Sequence, residues 1–476
     1  MPNFPIAFRS AQGRYQFEGV TELLNAYAEQ GSNDTKQALS VHPCNGIIEF
    51  VDQDAGPCRG MIYLKDLDAL YTVHPSRVFK VTFDGTTATS TSIGIVPGTD
   101  NVQLSRNQNA SPEIMVQAEL LTQVLSSDSI APVSDADFPT DVITADYVDS
   151  YTVVGQIDRT FNISGINQST AWDALDFDRF SQRAGTLVRV AESNGELIGF
   201  CNDSIEFWRN TGNADFPFEA IGARGHGMRS PAALVRSDNT LMFPGGDDGI
   251  IYRLANYDLQ RISTHTVERL VHDDVSNDGM IGFSWSHDGH AFANFTGTTW
   301  SRCYDAATQA WHTRQSYGYD TWRGKFMAEA WNRTIVGDAL SGKLGYLDNQ
   351  TFTEFGDPMI WGVDSPTLHV FPNGAIVDAF HMDLAVGYGL SSGQGSDPRI
   401  MFQVSRDGGI TFEGYRELEL GVTGKYTTRV TARRLGRFGP QGMVFRLRIS
   451  DPVVRALVGT DVELRPLKNA WRPAHG

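Results

Sequence analysis

A carboxylate flanked by hydroxyls and an aromatic ring can hold a sugar or help to cut one. Such a set occurs in VSRDGGITF, where Ser405, Asp407, Gly409, Thr411 and Phe412 follow the spacing S-x-D-x-G-x-T-aromatic. Glycoside hydrolysis further needs two acids about 5 to 10 Å apart in a cleft. The candidates are Asp173, Asp176 and Asp178 in WDALDFDRF, and Asp247 and Asp248 in PGGDDG. Acids at turns are ordinary in an acidic β protein, so neither group by itself indicates catalysis.

The 405–412 spacing resembles the Asp-box of sialidases and related glycan-binding propellers. A sialidase would carry several such boxes, an arginine cluster and a Tyr–Glu nucleophile pair. Here there is one full match, and SHDGHAF at 286–292 is a degenerate one. Asp-Gly-Gly between two apolar runs is also hairpin-turn chemistry, with glycine supplying positive φ and Asp407 bonding nearby N–H groups. The turn reading is the favoured one.

Other chemistry finds little support. His265 and His272 lie seven apart and His287 and His290 three apart, without an HExxH or equivalent metal spacing. Cys44, Cys58, Cys201 and Cys303 form no C-x-x-C pair and are expected as buried free thiols. No G-x-S-x-G, Walker A or strand-to-helix G-x-G-x-x-G occurs. We therefore expect no enzymatic activity, no catalytic or cofactor-binding residues, no cofactor and no metal. The aromatics of SIEFWRNTGNADFPF, DAATQAWHTR and YDTWRGKF could form a sugar-stacking platform, but packing between β-sheets is the expected use.

The elements that would position these residues read as strands. The chain has 476 residues, 47 of them glycine, and is 41% hydrophobic, 20% charged and 11% aromatic, a globular and turn-rich composition. No apolar run approaches the roughly 18 residues of a membrane span, and the first residues lack a signal-peptide core, so a soluble protein made in the cytosol is expected. Helical spacing is confined to GVTELLNAYAEQ at 19–30, with Val20, Leu23, Leu24 and Tyr27 at i, i+3, i+4 and i+7. Elsewhere short apolar runs alternate with Gly, Asn and Asp clusters.

Polar turns followed by paired apolar runs begin at 66, 110, 149, 194, 238, 288 and 332, with successive spacings of 44, 39, 45, 44, 50 and 44 residues. A period of about 40 to 50 residues is that of four-stranded propeller blades. We expect an all-β fold with a propeller of six or seven blades at 46–360, preceded by a short helical or extended N-terminal arm at 1–45. The units between 110 and 165 fit least well. After residue 360 longer alternating strands predict a separate sandwich-like or ring-closing β region at 361–476, with SSGQGSDP at 391–398 as an exposed loop.

Taken together, the segments resemble the packaged-DNA stabilisation proteins, also called tail hub or nozzle proteins, of short-tailed bacteriophages. The most specific stretch is RAGTLVRVAESNGELIGFCNDSIEFWRNTGNADFPFEAIGA at 183–223, followed in order by DNTLMF, GIIYRL, RISTHTVERLV, YDAATQAWHTR and VGDALSGKLGYLD. LLNAYAEQ, PCNGIIEF and RGMIYLKDLDALYTVHPSRVFKV resemble the family's opening. The resemblance implies a structural virion protein of the phage tail, assembled in the host cytoplasm as a homohexameric ring below the portal and adaptor. It implies retention of packaged DNA, a channel for genome ejection, and attachment of fibres or spikes, with a needle or internal gate protein as a further partner. Double-stranded DNA would pass through the lumen without specific binding.

Charge agrees with this expectation. A net charge of −17 argues against a nucleic-acid-gripping surface, and six copies would carry −102, a wall past which like-charged DNA slips. Assembly then needs apolar interfaces or a basic rim, for which Arg429, Arg433, Arg434, Arg437, Arg446 and Arg448 are the candidates. A glycan-binding or depolymerising propeller acting at the host surface is the alternative function.

Overall fold

The computed structural model describes residues 4–15, 18–31, 38–119, 121–246, 248–274 and 279–467. It is 55% strand and 4% helix. The chain divides into two compact units that are each discontinuous in sequence. One comprises Glu49–Thr299 and Arg323–Tyr346, the other Met1–Ile48, Trp300–Trp322 and Leu347–Gly476.

The first unit is a propeller. Its first five sheets are four-stranded antiparallel meanders in sequence order. They open with the strands Gly60–Leu64, Gln103–Arg106, Val142–Val148, Leu187–Ser193 and Val235–Ser237. A hairpin of Ile281–His287 and His290–Thr296 follows. The last sheet has the order Gly324–Ala330, Arg333–Asp338, Lys343–Asp348, Gly46–Asp52, so an early strand completes it. Lys343 Nζ lies 2.7 Å from Glu49 Oε2 at that seam.

Among the described residues, the opening strands of the first to fourth blades neighbour one another in order, as do those of the fifth to seventh, and Gly324–Ala330 returns to Gly60–Leu64. Between the fourth and fifth sheets the contact is made by side chains such as Phe200 and Phe243, whose ring centroids are 5.0 Å apart. The ring is closed, so no blade has to leave an apolar face in water.

Each repeat that begins at a polar turn in the sequence marks the link between a blade's first and second strands. At five of these links both central residues have positive φ: Asp149 and Ser150, Asn194 and Gly195, Asp238 and Asn239, Asp288 and Gly289, and Trp331 and Asn332. Two consecutive positive φ values define the type I′ hairpin, whose twist matches the strands it joins and which favours Asn, Asp and Gly. The periodicity is therefore a recurrence of one turn chemistry. The weakly patterned stretch from 110 to 165 forms the second and third blades with the same strand order.

The second unit is a sandwich. One sheet runs Ala26–Gln30, Leu39–Pro43, Leu457–Pro466, Ala375–Leu384, Val430–Phe438. The other contains Val20–Leu24, Trp361–Asp364, Val444–Ile449, Arg399–Ser405 and Arg416–Glu419 in that order. Phe4, Leu23, Trp361, Phe380, Phe402 and Phe445 fill the space between them. The hairpin of Ser301–Asp305 and Ala310–Thr313 also belongs to this unit, with Leu24 opposite Thr313.

The helical spacing at 19–30 is not realised. Those residues form two strands, Val20–Leu24 and Ala26–Gln30, separated by Asn25 at φ 47°. Leu23 pairs with Val363 and Tyr27 with His42. Long-range partners thus override a local period, and the N-terminal segment is extended and built into both sheets of the sandwich. A helix forms instead at His265–Asp273, where Val267 and Val271 at i and i+4 are buried. The 391–398 stretch lies outside regular strands as expected.

Candidate functional site

The opening strands of blades four to seven surround a cavity of about 730 Å³ in the propeller unit. Glu192, Ser193, Arg236, Ser284, Ser286 and Glu329 are among its lining residues. On the fourth-blade strand, Val190 and Ala191, which precede Glu192, are buried. Arg236 is tied down: its Nη2 lies 2.5 Å from Asp146 Oδ2, and Ser284 Oγ donates to its carbonyl at 2.5 Å. The Asp146 carboxylate, ahead of an opposing effect of burial, holds the Arg236 guanidinium above its ordinary value. Neighbouring Arg189 is pushed down to about 10 by burial and then by Arg236. The result is a polar, ion-paired wall without a nucleophile and base in contact. Only Ser286, which opens SHDGHAF, belongs to a sugar-motif candidate in the sequence; the signal for the rest would have been polar residues within the opening strand of consecutive repeats.

The Asp-box spends its chemistry on itself. Ser405 Oγ donates to Asp407 Oδ1 at 2.6 Å, and the Ile410 and Thr411 N–H groups donate to the same oxygen at 3.0 and 2.9 Å. Thr411 Oγ1 donates to Oδ2 at 2.5 Å, and the Gly409 N–H donates to Ser405 Oγ at 2.8 Å. The Phe412 ring is covered by the Arg446 guanidinium, 3.5 Å from its centroid. The carboxylate is taken up by its own turn and one face of the ring by Arg446.

Burial pushes the Asp407 carboxyl up, but the bonds from Ser405, Thr411 and Ile410 outweigh it and hold the group below the usual carboxylate range. A depressed folded value means stabilisation that is full above the unfolded pKa of about 3.9 and is lost as pH falls through the folded one. Urea midpoints of wild type and Asp407→Asn should therefore differ at neutral pH and converge below pH of about 4. Gly408 has φ 80°, and a Cβ there would meet the Gln441 carbonyl oxygen at 3.1 Å. Gly408→Val should destabilise the sandwich by roughly 1–3 kcal/mol in chemical denaturation, since a β-branched residue is strained in that region.

The paired acids do not form a cleft. Asp173 and Asp178 accept the N–H groups of Leu175 and Arg179 at 2.9 and 2.6 Å, and none of Asp173, Asp176 and Asp178 lines the cavity described above. Asp248 accepts from the Ile250 N–H at 2.9 Å and the Tyr252 hydroxyl at 2.6 Å, holding its own turn. Asp247 lies outside the described residues.

His265 and Glu268 pair within the helix at 3.0 Å, and His287 pairs with Asp288 at 3.0 Å. His272 lies 3.1 Å from Asp273, and His290 stacks on Phe292 with centroids 5.6 Å apart. Among the described residues no group of three or more His, Cys, Asp or Glu is placed to hold a metal ion. All four cysteines are free and buried, and burial pushes the Cys58 and Cys201 thiols up to about 12 and about 11.

The tryptophans of the aromatic stretches pack in the interior, while Tyr319 of YDTWRGKF is half exposed. Trp208 meets Phe161 and Phe180 of the preceding blade at centroid distances of 5.0 and 5.9 Å. In the sandwich unit Trp311 and Trp322 are fully buried, with the Arg314 guanidinium 3.9 Å from the Trp322 centroid.

The arginine group splits. Arg446 and Arg448 do not form a surface rim, because both reach the buried Asp364: Arg446 Nη2 to Oδ2 is 2.8 Å and Arg448 Nη1 to Oδ1 is 2.7 Å. Arg448 also meets Glu22 at 2.9 Å. Gly362, opposite Arg448 in register, leaves the room this guanidinium occupies. Arg429, Arg433, Arg434 and Arg437 are exposed.

Two family models match the chain. Residues 34–352 match "Bacteriophage P22 Gp10, beta-propeller" and residues 360–465 match "Bacteriophage P22 Gp10, beta-sandwich". No curated protein matches the chain. Among solved structures, similarity extends to the extracellular domain of the BT4673 hybrid two-component system of B. thetaiotaomicron, at 10% identity and TM-score 0.43. That match covers 75% of this chain, which spans 45% of the other. The WD40 β-propeller domain of Doa1 is similar at 9% identity and TM-score 0.41, over 64% of this chain and 97% of that one. The computationally designed Ika8 protein is similar at 11% identity and TM-score 0.37, over 68% and 96%.

Proposed function

The chain belongs to the bacteriophage P22 Gp10 family and is a structural protein of a phage tail, and from that premise we propose that it forms the tail hub. In this reading copies of the chain make a ring, expected to be hexameric, below the portal and adaptor. The ring retains packaged DNA, gives passage to the genome on ejection and carries fibres or spikes. A needle or internal gate protein completes the seal, and the particle part is assembled in the host cytoplasm. The protein has no catalytic role.

The observation that carries this reading is the joint match of the family's propeller and sandwich on one chain. The charge of −17 supports a lumen that repels rather than grips the phosphate backbone. The glycan reading has lost its main support, since the Asp-box carboxylate is saturated by its own turn.

Removal of the protein from an otherwise complete phage tests the reading. Heads should still package DNA and then lose it, measured as DNA that becomes nuclease-sensitive after packaging. Stable, DNA-filled heads in its absence overturn the proposal.

A further inference from the structure

We propose that copies of this chain join head to tail through two oppositely charged edges, the arginine strand of one copy's sandwich and the acidic outer strand of the next copy's third blade. The inference rests on the ring reading above and names the surfaces that make the ring.

The arginine strand, Val430–Phe438, ends its sheet. Arg433, Arg434 and Arg437 lie on it and Arg429 immediately precedes it, all exposed and without a carboxylate partner among the described residues. Its backbone is not open for strand addition. Arg416 donates to the Arg433 carbonyl at 3.2 Å, and Arg406 donates to the Arg437 carbonyl at 2.9 Å. Arg434 sits at φ 57°, where the register against Ala375–Leu384 shifts. A capped and bulged edge resists edge-to-edge pairing. What it offers is a row of guanidinium groups.

The matching surface is Gln168–Arg179, the last strand of its sheet. Its register jumps from Ser164 opposite Trp172 to Asn162 opposite Phe177, so residues 173–176 stand away from the neighbouring strand. Leu175 is 81% exposed and Phe177 51%, and Asp173, Asp176 and Asp178 surround them. Burial, and then the Asp173 carboxylate, hold Asp176 above the ordinary carboxylate range. A facing guanidinium relieves that cost. An apolar knob ringed by acids is suited to a protein surface that supplies both cations and cover.

The occupant follows from charge. Two copies at −17 repel, so a contact between them has to set unlike charges against each other locally. A head-to-tail contact sets arginine against aspartate at every joint, and such a contact closes into a ring when the rotation permits. Nucleic acid would satisfy the arginines but has no use for Leu175 and Phe177.

The test is sedimentation of the purified full chain at roughly 0.05 M and about 0.5 M salt, where screening differs strongly. Wild type should assemble at low salt and dissociate at high salt. Arg433→Glu with Arg437→Glu, and separately Asp176→Arg with Asp178→Arg, should each raise the concentration for half-assembly by at least about tenfold. An equimolar mixture of the two variants should recover assembly, because each presents the edge the other lacks. Leu175→Ser should weaken assembly with an unchanged circular dichroism spectrum, separating contact from folding.

Wild type that stays monomeric at every concentration, assembly indifferent to both reversals, or a mixture that fails to recover overturns the proposal. So does duplex DNA binding that the arginine reversal abolishes while assembly is unchanged. If heads leak without the protein yet assembly ignores these residues, the edge contact falls and the tail role stands.

Discussion

Replacing Asp364 with alanine is expected to destabilise the sandwich by about 3–5 kcal/mol, the range for removing one partner of a buried ion pair. Asp364 is 1% exposed, and both of its oxygens are engaged by guanidinium groups. Arg448 is itself 14% exposed, so without the carboxylate its charge would be left partly desolvated with only Glu22 beside it. The strands that carry the three residues are hydrogen-bonded, with Asp364 opposite Arg446 and Gly362 opposite Arg448. The loss should appear as a fall in the urea midpoint followed by tryptophan fluorescence, since Trp361 lies on the same strand. Glu22→Gln should cost under about 1 kcal/mol, as Glu22 is the more exposed partner. Equal effects from the two substitutions would show that the buried carboxylate does not organise this sheet.

Phe161→Ala should cost about 3–5 kcal/mol in the propeller, the range for deleting a buried aromatic ring and leaving a cavity. Phe161 is fully buried, stacked on Phe180 at 4.7 Å and edge-on to Trp208 at 5.0 Å. Trp208 comes from the following blade, so the ring seals the seam between the third and fourth sheets. A denaturation series should show the loss with Phe161→Leu intermediate. A change of under about 1 kcal/mol for the alanine variant would mean the seam collapses to fill the space.

Much of the propeller was legible because its punctuation is local. Pairs such as Asn194-Gly195 and Asp288-Gly289 accept positive φ through their own side-chain chemistry, and such pairs recur at the first turn of the third to seventh blades. The same locality made VSRDGGITF readable as a turn, since every partner of Asp407 in it lies within four residues. The N-terminal segment was misread for the opposite reason. Val20, Leu23, Leu24 and Tyr27 have helical spacing, yet Leu23 and Leu24 lie opposite Val363 and Gly362, some 340 residues away, and Tyr27 lies opposite His42 on a neighbouring strand. The short helix at His265–Asp273 escaped notice because two buried valines in nine residues leave little period to detect.

The cavity between blades four and seven was illegible for a related reason: its walls are gathered from four strands some 45 residues apart in the chain. The all-β class, the blade period and the phage family were legible in the sequence, since each rests on local turn chemistry or on ordered motifs, whereas the region after residue 360 read equally as sandwich-like or ring-closing and its union with 1–48 and 300–322 came only from folding. Tertiary structure decided which charges remain available. Six arginines read alike in the sequence, but strand register carries Arg446 and Arg448 to a buried carboxylate and leaves Arg429, Arg433, Arg434 and Arg437 facing solvent. A charge is neutralised by what lies across the sheet from it, and that neighbour is chosen by folding.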